Sequence, residues 1–207
     1  MTLLQGLDYA SVFIFGLTGA LAASRAQLDI VGFVFLACLT AVGGGTIRDV
    51  ILNRDQVFWV ADPGMILSAS VAAVLVFFTA HLLESRIRTL EWLDALALGV
   101  AVPAGVGVAM GLGQGWPVVL IMGVATGTFG GLMRDVVCNE VPLVLKKGEL
   151  YATAAFSGAL AALFMATLIQ SMLIILLTCG ITTFALRAGS MLLGWCLPVY
   201  KSRPPRR

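Results

Sequence analysis

Two apolar segments of the chain each contain several glycines followed by an adjacent arginine and aspartate. One pair is Arg48-Asp49 and the other is Arg134-Asp135, and the glycines before them are Gly43, Gly44, Gly45, Gly127, Gly130 and Gly131. Because glycine has no side chain to restrain the backbone, a helix can kink or open at these positions and turn carbonyl oxygens toward a ligand. Carbonyls freed in this way can bind a cation, so the carbonyls of Gly43–Gly45 and Gly127–Gly131 are candidate ion ligands.

The charged pairs and nearby hydroxyls extend each candidate site. On a helix, Arg48 and Asp49 project from the same side as the glycines four positions earlier, and the second pair does the same. We predict that these four charges lie at the two mouths of one pathway; the alternative is an interfacial charge pair that marks a helix end. Four threonine hydroxyls are candidate oxygen ligands, or else back-bond to their own helices: Thr40, Thr46, Thr126 and Thr128. The alternative for the glycines is close helix packing.

The composition places the chain in a lipid bilayer. Of its 207 residues, 59% are hydrophobic and only 12% are charged, whereas a soluble domain carries about 25% charged residues. A net charge of +2 with scattered basic residues excludes a nucleic-acid partner. The usual hydrolase, metalloprotease and nucleotide-binding motifs are missing from the sequence, and it has one histidine, so we do not expect an enzyme or a cofactor.

Seven apolar stretches are long enough to cross the membrane as helices. They run approximately over residues 9–24, 30–47, 65–83, 92–112, 116–133, 150–168 and 172–186. The loops on one side then hold ten basic residues, whereas the other side holds Arg48 and Arg54, so the positive-inside rule predicts an external N-terminus and a cytoplasmic C-terminus. The ten are Arg25, Arg86, Arg88, Arg134, Lys146, Lys147, Lys201, Arg203, Arg206 and Arg207.

The chain contains an internal repeat. The pattern Gly-Gly-x-x-Arg-Asp-Val-x-x-Asn that begins at Gly44 begins again at Gly130, and Leu7-Asp8 returns as Leu93-Asp94, both 86 residues later. Each copy holds three spans, an odd number, so the second copy enters the membrane from the opposite side and the repeats are inverted. We predict an all-α membrane protein in one domain, with repeats at approximately 7–83 and 93–169. A seventh helix follows at about 172–190, and then a tail at about 198–207.

Three other charged residues have simpler explanations. Asp8 and Asp94 stand at the predicted starts of the first and fourth spans, where a carboxylate suits the exposed N–H groups of a helix, so we interpret both as N-caps. Arg187 falls near the end of the seventh span, where a long side chain can reach the interface.

The duplicated motif resembles the prokaryotic branch of the trimeric intracellular cation (TRIC) channel family. The resemblance extends to the ending from Leu186-Arg187 to Trp195-x-Leu197-Pro198. It implies a homotrimer with one pore per subunit between glycine-kinked helices two and five, passing potassium and also sodium. It also implies that the six glycines named above are the family's kink glycines. Phe129 departs from the pattern, because it stands where the first glycine triplet predicts glycine; the fifth helix would then bend differently or be gated by that ring.

We therefore predict a passive cation channel in the inner (plasma) membrane. Relatives in this group also carry a glycine-transporter label, so the alternative is a carrier for a small solute such as glycine that works by alternating access between the repeats. A membrane scaffold without transport would explain the glycines by packing but gives the four charges no joint role.

Overall fold

The computed structural model describes residues 2–82, 85–146 and 149–198. Over these residues the chain forms α1 (Leu3–Arg25), α2 (Ile30–Ile51), the short α3 (Phe58–Ala61), α4 (Gly64–Thr79), α5 (Arg86–Gly111), α6 (Trp116–Val137), α7 (Ala152–Leu168) and α8 (Met172–Leu193). Single 3-10 turns follow at Ala80–Leu82 and Leu143–Leu145. Nearly all of the predicted tail, and the end of the predicted third span, lie outside the described residues.

The seven long helices confirm the predicted fold class. Six are long and apolar enough to span a membrane, α4 being counted with its 3-10 turn, and α7 is a shorter apolar helix of 17 residues. Helices α1, α2 and α4 form the first repeat, and α5, α6 and α7 form the second. The repeats meet where α1 packs on α5 and α2 packs on α6, whereas α8 packs on α5 and α7.

The helix ends follow from local sequence signals that recur in both repeats. Two residues after the last residue of α1, α2, α5 and α6 stands a residue with positive φ, namely Gln27, Asn53, Gly113 and Asn139. After α2, the Arg54 N–H donates to the carbonyl of Asp49, and after α6 the Glu140 N–H donates to that of Asp135. This is the Schellman arrangement, in which a left-handed residue lets the next amide cap the last turn. The Asn in each copy of the repeated motif is therefore a helix stop.

The predicted N-caps were wrong at Asp8 and Asp94. Helix α1 begins after Thr2, which forms a capping box with Gln5, and α5 begins after Ser85. Both aspartates consequently lie inside a helix, and both are buried. The predicted first and fourth spans start too late, because the prediction treats an ionised carboxylate as a marker of the water interface. That assumption fails when the carboxylate is paired inside the protein.

Candidate functional site

Helices α2 and α6 cross at Gly44 and Gly130. A Cβ atom placed on Gly44 would overlap the carbonyl oxygen of Thr126, and one on Gly130 would overlap the carbonyl oxygen of Thr40. Each repeat thus presents its glycine to the threonine carbonyl of the other, as an inverted repeat related by a pseudo-twofold axis requires. Because backbone touches backbone here, no ion can pass between Gly44 and Thr126 in this conformation.

The other motif glycines make room for side chains around the crossing. A Cβ on Gly45 would lie 2.5 Å from the Phe58 ring, and one on Gly127 would lie 2.6 Å from Val102. Gly43 faces the Met133 thioether, and Gly131 faces the Tyr151 hydroxyl and Asp94. All six positions are therefore occupied by close packing, the alternative that the sequence had left open.

Both helices continue through their glycines. Helix α2 remains α-helical to Ile51 and α6 to Val137, well beyond Gly45 and Gly131. The break in hydrogen bonding that would free carbonyl oxygens for an ion is not formed in this conformation. Ion binding by these carbonyls stays a prediction.

The candidate threonines divide into two groups. The hydroxyls of Thr40, Thr46 and Thr126 donate to the carbonyls of Leu36, Val42 and Met122, four residues earlier in their own helices, at 2.6, 2.7 and 2.6 Å. Thr46 also accepts a 2.9 Å hydrogen bond from the Trp59 indole. A hydroxyl that donates in this way still has lone pairs for an ion. Their role as ligands is not decided by these bonds.

Thr128 and Phe129 lie away from the crossing. Both line an apolar groove of about 320 Å³, together with Leu120, Ile121, Val124, Ala125 and Phe156. The groove lies on α6 and reaches Phe156 of α7. Phe129 thus lines a groove that reaches α7, whereas Gly44 and Gly130 mark the contact between α2 and α6.

Arg48 is the centre of a buried ion cluster in the first repeat. Its Nη1 donates to Asp8 Oδ1 at 2.9 Å and its Nε donates to Asp49 Oδ1 at 2.7 Å. Asp49 Oδ2 also accepts from the backbone N–H of Phe58 at 2.8 Å, and the Phe58 ring lies 5.3 Å from the guanidinium carbon. One aspartate thus comes from α1, the other from α2, and the second fixes the loop after α2.

Arg134 repeats this arrangement in the second repeat. Its Nη1 donates to Asp94 Oδ1 and its Nε donates to Asp135 Oδ1, both at 2.8 Å. Asp135 Oδ2 accepts from the N–H of Leu143 at 2.8 Å. In both repeats the arginine side chain has no exposed surface and its Nη2 has no hydrogen-bond partner among the described residues. A buried donor left without a protein partner is normally satisfied by water.

The two clusters differ in the charge that follows each motif. In the first, Arg54 folds back and its Nη1 contacts Asp49 Oδ2 at 3.2 Å. The residue at the corresponding position of the second repeat is Glu140, which instead pairs with Arg25 at the end of α1, at 2.9 Å. The first cluster therefore contains two aspartates and two arginines, whereas the second contains two aspartates and one arginine.

The expectation that Arg187 reaches the membrane interface was wrong. Its side chain is fully buried, its Nη2 lies 2.7 Å from Glu149 Oε2, and its guanidinium carbon lies 5.2 Å from the Tyr151 ring centre. Sequence reasoning missed Glu149 and Tyr151 altogether. Neither belongs to the repeated motif, and their partner is on the one helix that has no copy.

The fold and the two buried clusters define a polytopic membrane protein built from an inverted repeat. The model of the glycine transporter family matches residues 5–81 and 91–167, and the chain belongs to this family. The inner membrane protein YadS of Escherichia coli K12 is 39% identical over 162 residues, which cover 76% of each chain. A membrane protein of Vibrio cholerae is 37% identical over 164 residues, 77% of this chain and 66% of that one.

Solved structures confirm the resemblance to TRIC channels. The trimeric intracellular cation channel orthologue from Rhodobacter sphaeroides matches with a TM-score of 0.90 and 42% identity, covering 94% of this chain and all of that one. A second TRIC cation channel matches with a TM-score of 0.85 and 27% identity, over 98% of this chain and 100% of that one. A trimeric intracellular cation channel from C. elegans, 18% identical with a TM-score of 0.59, shares the fold. Since these neighbours are ion channels, the expectation that the chain is not an enzyme is confirmed.

Proposed function

We propose that this protein is a passive channel for monovalent cations, permeable to potassium and also to sodium. The observation that carries the proposal is the pair of buried Arg-Asp clusters placed symmetrically about the glycine crossing of α2 and α6. The similarity to channels solved as cation channels supports the same function. The second cluster has two carboxylates for one guanidinium, and this excess of negative charge favours cations over anions.

The pathway that we propose lies between α1, α2, α5 and α6 of each subunit. These helices carry both clusters, and each cluster leaves one arginine Nη2 without a partner among the described residues, which favours hydrated space beside it. Since α2 and α6 touch at Gly44 and Gly130, conduction requires the two helices to separate there or ions to pass beside the crossing. The moving units are the two repeats, approximately 7–83 and 93–169.

We propose a homotrimer in the inner (plasma) membrane with an external N-terminus and a cytoplasmic C-terminus. The Rhodobacter neighbour is described as trimeric and the Escherichia coli relative as an inner membrane protein. The excess of basic residues on the C-terminal side supports the orientation. The lipid bilayer is thus the solvent for the outer helix faces, where large apolar side chains such as Leu67, Phe78 and Phe164 are exposed.

The proposed permeant ions need no bound cofactor. Among the described residues, no group of three histidine, cysteine, aspartate or glutamate side chains is arranged to hold a metal ion. Potassium or sodium would be a transient occupant that moves along the pathway. A site that holds its ion weakly enough to release it is what conduction requires.

Purified protein in liposomes loaded with potassium tests this function. We expect the potassium gradient to collapse faster than in vesicles that contain no protein. No cosubstrate should be needed, because the gradient itself drives flow through a channel. The matched assay offers labelled glycine to vesicles preloaded with unlabelled glycine. Saturable exchange of glycine without potassium flux would favour the carrier that the family name suggests, and would overturn the channel proposal.

A further inference from the structure

Helix α8 has no counterpart in the repeats, yet it brings a buried arginine to the second cluster. The Arg187 guanidinium stacks on the Tyr151 ring at 5.2 Å. The Tyr151 hydroxyl and Asp94 both face Gly131: a Cβ there would stand 3.1 Å from the hydroxyl and 3.3 Å from Asp94 Oδ1. Among the described residues that buried hydroxyl has no hydrogen-bond partner. The Tyr151 side chain thus lies between Arg187 and Asp94, the aspartate that pairs with Arg134.

The two Arg-Asp clusters differ in their balance of charge. Arg54 balances the first cluster by its contact with Asp49, but the corresponding Glu140 is engaged by Arg25 and adds no cation to the second. Among the described residues, Asp94 and Asp135 therefore pair with Arg134 alone, and Asp94 Oδ2 has no hydrogen-bond partner there. Arg187 is a buried cation on α8 whose guanidinium lies over the other face of this neighbourhood, against the Tyr151 ring.

We infer that Arg187 is a positioning residue that, through Tyr151, sets the charge and geometry of the second Arg-Asp cluster, as Arg54 does for the first. This inference rests on the proposed channel function. Helix α8 is then an electrostatic part of the pathway. Its acidic partner Glu149 keeps part of its side chain exposed, so it tunes the positive charge of Arg187 from the edge of the bundle.

The test compares R187Q with R54Q by recording potassium currents across planar bilayers in symmetric low salt. The inverted repeats place the two clusters near opposite membrane faces, so losing a cation at one of them makes the current depend on the direction of flow. We expect R187Q to increase current entering from the second-cluster side about twofold relative to the reverse direction, the effect of one unit charge about 10 Å from an ion in water. R54Q is expected to rectify in the opposite sense.

High salt should reduce both effects, because screening shortens the reach of a charge. E149Q provides a second variant at a partly exposed site in case R187Q fails to fold, and it should rectify oppositely to R187Q. If wild-type protein passes no current, the proposed function fails. If wild type conducts and R54Q rectifies but R187Q and E149Q behave as wild type, then α8 contributes packing alone and the inference is overturned.

Discussion

Replacing Arg134 with methionine is expected to lower the free energy of unfolding by about 3–5 kcal/mol, the usual cost of removing one partner from a buried ion pair. Asp94 has no exposed side-chain surface and Asp135 only 7%. Without the guanidinium, both carboxylates would stay buried with no neighbouring cation on α6. Chemical unfolding of the purified protein in detergent measures the change.

Arg88 provides the matched control for this substitution. It is an exposed arginine on α5, so R88M should change the free energy of unfolding by no more than about 0.5 kcal/mol. Combining R134M with Asp94→Leu should recover part of the loss, because one stranded carboxylate is then removed. If R134M is as stable as R88M, then water solvates Asp94 and Asp135 well enough that they need no arginine partner. The buried arrangement described above would then be wrong.

Gly44→Ala is expected to cost about 1–3 kcal/mol, the range for a methyl group forced into a packed interior. The new Cβ would overlap the Thr126 carbonyl oxygen, and that atom belongs to the backbone of α6, so it cannot rotate away. Gly130→Ala should cost a similar amount through Thr40. Either new methyl group pushes the same two helices apart. The double variant should therefore lose less free energy of unfolding than the sum of the two single losses.

The control is Gly6→Ala in α1, where a Cβ would meet nothing within 4 Å. Alanine there should leave the stability unchanged or raise it by up to about 1 kcal/mol, because alanine has the higher helix propensity. Thermal unfolding of the three single variants and the double variant in one detergent makes the comparison. A Gly44→Ala protein that unfolds at the same temperature as Gly6→Ala would contradict the tight crossing of α2 and α6.

The fold could be predicted from sequence because two strong signals agree. Apolar stretches of membrane-spanning length mark each of the seven long helices, and the 86-residue offset fixes the order and inversion of the repeats. Asn53 and Asn139 recur at the same offset, and both prove to be left-handed helix stops. These features are local or are repeated along the chain, so a single sequence contains them.

The site was predicted less completely, because its partners are distant in sequence. Asp8 and Arg48 are 40 residues apart, as are Asp94 and Arg134. That equal spacing was visible in both copies and could have joined each aspartate to its arginine. The glycines are evident in the sequence, but a kinked helix and a closely packed helix both require glycine. Only the distances to the Thr40 and Thr126 carbonyls distinguish these two explanations. Arg187 and Tyr151 lack copies, and no sequence pattern linked them to Asp94.

Single-channel recording of the wild-type protein in a planar bilayer shows whether a cation pathway exists. With potassium chloride unequal on the two sides, we expect discrete current steps that reverse close to the potassium equilibrium potential, without any added substrate. Steps that reverse near the chloride potential, or silence in a preparation that exchanges glycine, would contradict a cation pathway between the two repeats.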